Sequence, residues 1–183
     1  DLILNIVDGT NIERNLYLTL QLMELSIPMV VALNMMDEVR ASGNSIDVVK
    51  LSEHLGIPVI PISASKEEGL SELVDVAIKT AQNKYAPKKL DFCTGEVHKA
   101  IHSISHLIED QPAFKELKIT ENQAHIVSHV VEDMEKALGT DREAALADMR
   151  YNYIEKICED TVIKKQETNE QIRSEKIDRL LTH

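Results

Sequence analysis

Asn34 and Asp37 stand in an Asn-x-x-Asp spacing directly after a continuous apolar run, Met29-Val30-Val31-Ala32-Leu33. A carboxylate presented there can accept guanine N1–H and the exocyclic N2 amine as a bidentate pair. Adenine offers neither donor, so such a pair would select the base. Downstream, Ser63-Ala64-Ser65 has the Ser-Ala-x form, in which a backbone N–H can approach guanine O6. Asn-x-x-Asp alone is a weak signal, since it also occurs at Asn5 to Asp8 and Asn44 to Asp47. Only the Asn34 copy follows an unbroken apolar run and precedes, one helix and one strand later, a Ser-Ala-x loop. That ordered pair is far more specific than either part. The plain alternative is that Asn34 and Asp37 make turn and helix-cap bonds.

Elements must bring these loops together. Leu2 to Val7 reads as a strand, with a loop at Asp8-Gly9 and a capping box of Thr10 with Glu13 opening a helix that runs to about Leu25. Pro28 stops it, and the 29–33 run reads as a strand covered on both faces, as in parallel sheets. After a polar loop, a helix is expected from about Asp47 to Leu55, ended by Gly56. A proline-flanked strand at 58–62 and a helix at about 70–85 follow. This alternation gives an α/β class with right-handed βαβ units and a parallel sheet. In such sheets ligands bind outside the carboxyl ends of the strands, where all three loops (8–10, 34–37 and 63–65) fall.

Ala86-Pro87-Lys88-Lys89 reads as a boundary. Beyond it no strand pattern is visible, and helices are expected at about 95–109, 121–138, 141–164 and 174–182, with 166–171 as a polar loop. Thr120 with Gln123 and Thr140 with Glu143 have capping-box spacing, and Gly139 sits at a helix stop. Leu146, Met149, Tyr153 and Ile157 form an apolar stripe that reads as core. The expected organisation is therefore 1–87 and an all-α domain at 88–183.

The chain has 183 residues with 20 Lys plus Arg against 31 Asp plus Glu, a net charge of −11 spread over both halves. That excludes the basic footprint of a nucleic-acid binder and disfavours docking on an anionic membrane. Aromatics are 3% with no Trp, so base-stacking platforms are scarce. Cys93 and Cys158 make no disulfide framework, which suits a reducing compartment. No run approaches 18 apolar residues, so these residues are expected to be soluble.

The segment from Asp8-Gly9-Thr10-Asn11-Ile12-Glu13-Arg14-Asn15-Leu16-Tyr17-Leu18-Thr19 into Asn34-Met35-Met36-Asp37-Glu38 resembles the cytosolic GTPase part of the ferrous iron transport protein B family. Most small GTPases carry Lys after that Asn, whereas this family carries Met, as at Met35. Ala147-Asp148-Met149-Arg150-Tyr151 and the 174–183 segment are similar to the family's helical domain and the stretch before its first membrane helix. The resemblance implies the C-terminal portion of a Ras-like P-loop GTPase fold, three of six strands, followed by the helical domain. It implies that Asp37 specifies guanine, Asn34 bonds the base and braces neighbouring loops, and Ser63, Ala64 and Ser65 line the base beside Met35. GTP or GDP is then the ligand, with Mg²⁺ expected only in the intact domain. The membrane domain of the same polypeptide is the implied partner, at the cytoplasmic face of the inner membrane, where the nucleotide state would regulate Fe²⁺ uptake.

A phosphate loop needs Gly-x-x-x-x-Gly-Lys-Ser/Thr, yet none of the six glycines precedes Lys, and no Asp is followed three positions later by Gly. This chain alone is therefore expected not to hydrolyse GTP and to bind guanine nucleotides weakly. Without a neighbouring first strand, Leu2 to Val7 would be an apolar edge inviting self-association. Two alternatives remain: a non-catalytic adaptor module without guanine dependence, and a metal-sensing module built on the histidine rows His98, His102, His106 and His125, His129. The bland reading of those rows is a polar helix border. A ribosome-assembly type of GTPase would carry Lys at 35 and a basic module, and this chain has neither.

Overall fold

The first elements in chain order are β1 (Ile3–Asp8), α1 (Ile12–Met23), β2 (Met29–Asn34), α2 (Met36–Ala41), β3 (Ser45–Ile46), α3 (Val48–Leu55), β4 (Val59–Pro61) and α4 (Leu70–Asn83). After them come α5 (Gly95–Leu107), α6 (Glu121–Leu138), α7 (Arg142–Thr161) and β5 (Val162–Ile163). This computed structural model describes residues 1–84, 86–87, 93–107 and 120–165. The helix expected at 174–182, the loop at 166–171 and Lys88-Lys89 of the expected boundary lie outside the described residues. By contact the chain divides into Asp1–Lys88 with Ile157–His183, and Lys89–Lys156.

In the first unit β1, β2 and β4 form a parallel sheet in the order β1-β2-β4, with Ile3 opposite Met29 and Val31 opposite Val59. β2 is central, and Met29 to Leu33 are wholly buried, which explains the unbroken apolar run. Val30 and Ala32 face α4 and pack with Ile60, Ile62 and Leu73. Leu16, Leu20, Leu51 and Leu55, from α1 and α3, are also fully buried. Among the described residues β4 is an edge strand, and that position tolerates its terminal Pro61. Among them β1 is the other edge, with Leu4 46% and Ile6 65% exposed.

Among the described residues, buried side-chain polar atoms are paired. Asn5 Nδ2 in β1 donates to Thr19 Oγ1 in α1 at 2.8 Å, and that hydroxyl donates to the Asn15 carbonyl. Replacing Thr19 with Val keeps the shape but strands the Asn5 amide, so Thr19→Val should lower stability by about 1–3 kcal/mol in urea unfolding.

Several local expectations are corrected. Thr10 and Glu13 do not form a capping box. Asp8 accepts the Thr10 N–H (2.8 Å) and hydroxyl (2.7 Å), which holds Gly9–Asn11 in a 3-10 turn and delays α1 to Ile12. Thr140 does not cap α7 either: Asp141 accepts the Ala144 N–H at 2.8 Å, because its carboxylate sits one residue closer to the first turn. The polar loop after Asn34 contains α2 and β3, elements too short to show a period. A strand also lies beyond the boundary. Val162 and Ile163 pair antiparallel with Ile46 and Ser45, and Asp47 N–H donates to Thr161 O at 2.8 Å, so α7 ends at Thr161. Two β-branched residues continuing an apolar stripe cannot be told from another helical turn by spacing alone. Asp47 caps α3 through Lys50 N–H, and Gly56 ends it at φ 64°.

In the second unit Val97, Ala100, Met134 and Ala145 form the core, joined by Val130, Leu146 and Met149. Thr120 and Gln123 do form a capping box, and Gly139 closes α6 at φ 68°. On α5, Val97 and Ala100 are buried while Ile101 is exposed. Among the described residues no helix is long and apolar enough to cross a membrane.

Candidate functional site

The two loops that follow β2 and β4 lie side by side because those strands are paired neighbours. Asn34 is the last residue of β2 and Met35 turns the chain at φ 63°, so α2 starts at once and carries Asp37 in its first turn. On the neighbouring strand Ile62 N–H donates to Leu33 O at 2.8 Å, and Met36 N–H donates back to Ile62 O at 3.2 Å. The sheet ladder thus runs into the loops without a gap. The Asp8–Thr10 turn joins them from β1, where Asp8 stands opposite Asn34. A Cβ on Gly9 would lie 3.0 Å from the Asn34 carbonyl oxygen, so any larger residue would press on the backbone of this loop.

Side chains then lock the loops to each other. Ser63, buried at 1% exposure, donates its hydroxyl to Asp37 Oδ1 at 2.8 Å. Ala64 N–H donates to Asn34 Oδ1 at 3.0 Å. Lys66 Nζ lies 3.3 Å from Asp37 Oδ2, and Arg40 of α2 pairs with Glu68. Within the second loop, Ser63 and Glu68 exchange both backbone hydrogen bonds at 3.1 Å. Glu67 at φ 56° and Gly69 at φ 75° complete its turn, and a Cβ on Gly69 would overlap the Pro61 carbonyl oxygen. Met35 and Glu67 are non-glycine residues held in the left-handed region. Such backbone strain persists only where the surroundings over-determine it.

All six residues singled out in the sequence lie in this paired-loop cluster. Asn34, Asp37, Ser63 and Ala64 are joined directly, Ser65 Oγ lies 3.4 Å from Ser63 Oγ, and Met35 is 38% exposed beside them. Lys66, Arg40 and Glu68 were missed. Lys66 was legible, as the cation directly following Ser63-Ala64-Ser65, but the Arg40–Glu68 pair spans 28 positions and has no local signal. The other two Asn-x-x-Asp copies have structural roles: Asn5 pairs with Thr19, Asp8 caps the 3-10 turn, Asn44 accepts the Lys165 N–H, and Asp47 caps α3.

The Ser63 hydroxyl, and after it Lys66, hold the Asp37 carboxyl below its ordinary range, against a partial desolvation that raises it. Asp37 is therefore an ionised acceptor throughout the neutral range. With the folded pKa below the unfolded one, its ionic contribution is full above the unfolded value and is lost as pH falls through the folded value. Ser63→Ala removes the largest cause, so the Asp37 carboxyl titration followed by NMR should move up toward the ordinary carboxylate range. No movement would show that Ser63 does not tune it.

Other groups do not add chemistry here. A cavity of about 440 Å³ borders Gly9, Glu13, Val39, Asn44, Ile46 and Lys164, and none of the six residues lines it. Cys158 is buried, and burial pushes its thiol up to about 11, so it is protonated and unreactive at neutral pH. Among the described residues no three His, Cys, Asp or Glu side chains are placed to hold a metal.

Comparison with known proteins gives a consistent result. The family model described as ferrous iron transport protein B matches residues 1–77, and that of the FeoB cytosolic helical domain matches residues 70–163. An Fe(2+) transport protein A/Fe(2+) transporter FeoB fusion protein from Porphyromonas gingivalis is 31% identical over 214 aligned residues, covering all of this chain and 25% of the relative. The Fe(2+) transporter FeoB of Escherichia coli K12 is 47% identical over 85 residues, covering 46% of this chain and 10% of the relative. The chain thus spans a quarter or less of the length of these curated relatives. Among solved structures, an S. thermophilus NFeoB mutant bound to GDP superimposes with TM-score 0.77 at 32% identity, covering 88% of this chain and 69% of that one. S. thermophilus NFeoB bound to mGMPPNP gives TM-score 0.70 at 32% identity, covering 91% and 69%.

Proposed function

The chain belongs to the ferrous iron transport protein B family, with sequence of its G domain and of its cytosolic helical domain, and we propose that the paired loops bind the guanine base of GTP or GDP. The observation that carries this is the Asp37 carboxylate, ionised and fixed by the Ser63 hydroxyl at 2.8 Å, beside the Ala64 amide that Asn34 holds at 3.0 Å. Each carboxylate oxygen has two lone pairs, so Asp37 can keep Ser63 and still accept guanine N1–H and the N2 amine. The amine would meet Oδ2 in place of Lys66. Guanine O6 would share the Ala64 N–H with Asn34 or take it over. Met35 and Ser65 border the same space.

Residues 1–87 would carry this base recognition, and α5, α6 and most of α7 would serve as the helical domain, with Val162-Ile163 returned to the first unit. The whole transporter would use the nucleotide state to regulate Fe²⁺ uptake at the cytoplasmic face of the membrane. The residues assigned here read the base. None of them forms the Gly-x-x-x-x-Gly-Lys-Ser/Thr loop that cradles phosphates, and these 183 residues contain no such motif, so this chain alone should turn over no GTP. The solved S. thermophilus relatives bound to GDP, and to GDP·AlF4⁻ with K⁺, support a guanine ligand. The test is binding of a fluorescent GDP analogue with ATP as competitor, on this chain and on the chain extended upstream. Guanine-specific binding by the extended form, unaffected by ATP, is expected. Indifference of both forms to guanine would favour an adaptor module instead.

The β1 edge favours self-association as well. Leu4 and Ile6 are exposed on a strand whose outer backbone groups face no other strand among the described residues, a template for a second chain. Light scattering after size exclusion should show a dimer or larger assembly, and a clean monomer at high concentration would reject it.

A further inference from the structure

Five of the seven histidines stand on two helices of the second unit, each four residues from the next: His98, His102 and His106 on α5, and His125 and His129 on α6. Four-residue spacing puts side chains on one helix face, one turn apart. Whether they can share an ion is a question of distance. Two imidazole nitrogens, each about 2.0–2.1 Å from one metal and subtending about 90–110°, place their ring centroids about 4.5–5.2 Å apart. The His125 and His129 rings are 4.6 Å apart and inclined by 67°. The His102 and His106 rings are 4.5 Å apart, whereas His98 and His102 are separated by 5.9 Å, outside that window.

Charge separates the two close pairs. On α6 the row reads Glu121, His125, His129, Asp133 at four-residue steps, all exposed, so a carboxylate lies one turn before and one turn after the imidazoles. Lys136, the basic residue of the last turn, is 3.8 Å from Glu132 and so is partly neutralised. On α5 the residue four before His102 is another histidine, His98, and the cation Lys99, three before it, is held by Glu96. The core of this unit uses Val130 and Met134 of α6, so the His125–His129 face is not required for packing.

We propose that His125 and His129 form a bidentate surface chelate for a divalent transition metal ion of borderline softness. Water completes the coordination, with Glu121 and Asp133 supplying favourable charge. An imidazole pair prefers Cu²⁺, Ni²⁺ and Zn²⁺ to Fe²⁺ by the ordinary affinity series, so this site discriminates against ferrous ion. Because both ligands must sit on one formed helix, the ion would bind the folded chain and stabilise it. None of this depends on nucleotide.

The experiment is calorimetric titration of the full chain with Ni²⁺ and with Zn²⁺, without nucleotide, alongside thermal unfolding. One equivalent should be lost, or weakened by more than about tenfold, in His125→Ala and in His129→Ala, together with the metal-dependent rise in Tm. His102→Ala should retain that equivalent. Circular dichroism of the apo variants should match the parent, since both side chains are exposed. Absence of binding in the parent, or equal binding by the His125→Ala, His129→Ala double variant, would overturn the proposal. So would tighter binding of Fe²⁺ than of Ni²⁺.

Discussion

Asp37→Ala should weaken guanine-nucleotide binding by about 100-fold or more in the upstream-extended chain. Two hydrogen bonds from the base to an ionised carboxylate are lost, each contributing about 1.5–3 kcal/mol. The same change leaves the Ser63 hydroxyl and Lys66 without their shared acceptor, which loosens the loop that presents Ala64. Asp37→Asn separates these effects. An amide keeps an acceptor for N1–H and offers a donor where the N2 amine would need an acceptor. Preference should therefore move toward a base with oxygen at C2, so xanthosine diphosphate should gain while GDP loses. Competition by both nucleotides against a fluorescent analogue reads this directly. Unchanged GDP affinity in Asp37→Ala would remove Asp37 from the base site.

Leu33→Ala should destabilise the first unit by about 3–5 kcal/mol. Leu33 is wholly buried at the centre of the sheet, and its carbonyl receives Ile62 N–H one residue before Ser63. Truncation leaves a cavity directly behind Asn34, so the loss should reach the site. A urea unfolding midpoint gives the stability. A loss under 1 kcal/mol with an unchanged m-value would show that the sheet collapses around the gap and that the loops are held from elsewhere.

Much of this was legible in the chain itself. The 29–33 run, bounded by Pro28 and a polar loop, read as a strand covered on both faces, and the order of Asn34–Asp37 and Ser63–Ser65 around it placed both loops at one end of a parallel sheet. Local capping was less legible. Thr10 and Thr140 have the spacing of caps, yet acidic neighbours at Asp8 and Asp141 make the bonds instead, because an ionised carboxylate accepts an N–H more strongly than a hydroxyl does. Likewise, three copies of Asn-x-x-Asp look alike until their surroundings are known.

The sequence by itself therefore determined the class and the central strand, and it singled out the residues proposed to read the base, since periodicity and residue chemistry are local properties. Tertiary structure decided the rest. It chose one Asn-x-x-Asp copy by pairing β2 with β4, which puts Ser63 on Asp37 across 26 positions and Ala64 on Asn34 across 30. It turned Val162-Ile163 into a strand against Ser45-Ile46. Partners so distant along the chain are selected by the closing of the sheet and by backbone groups that must be paired once buried, and no spacing rule records that requirement.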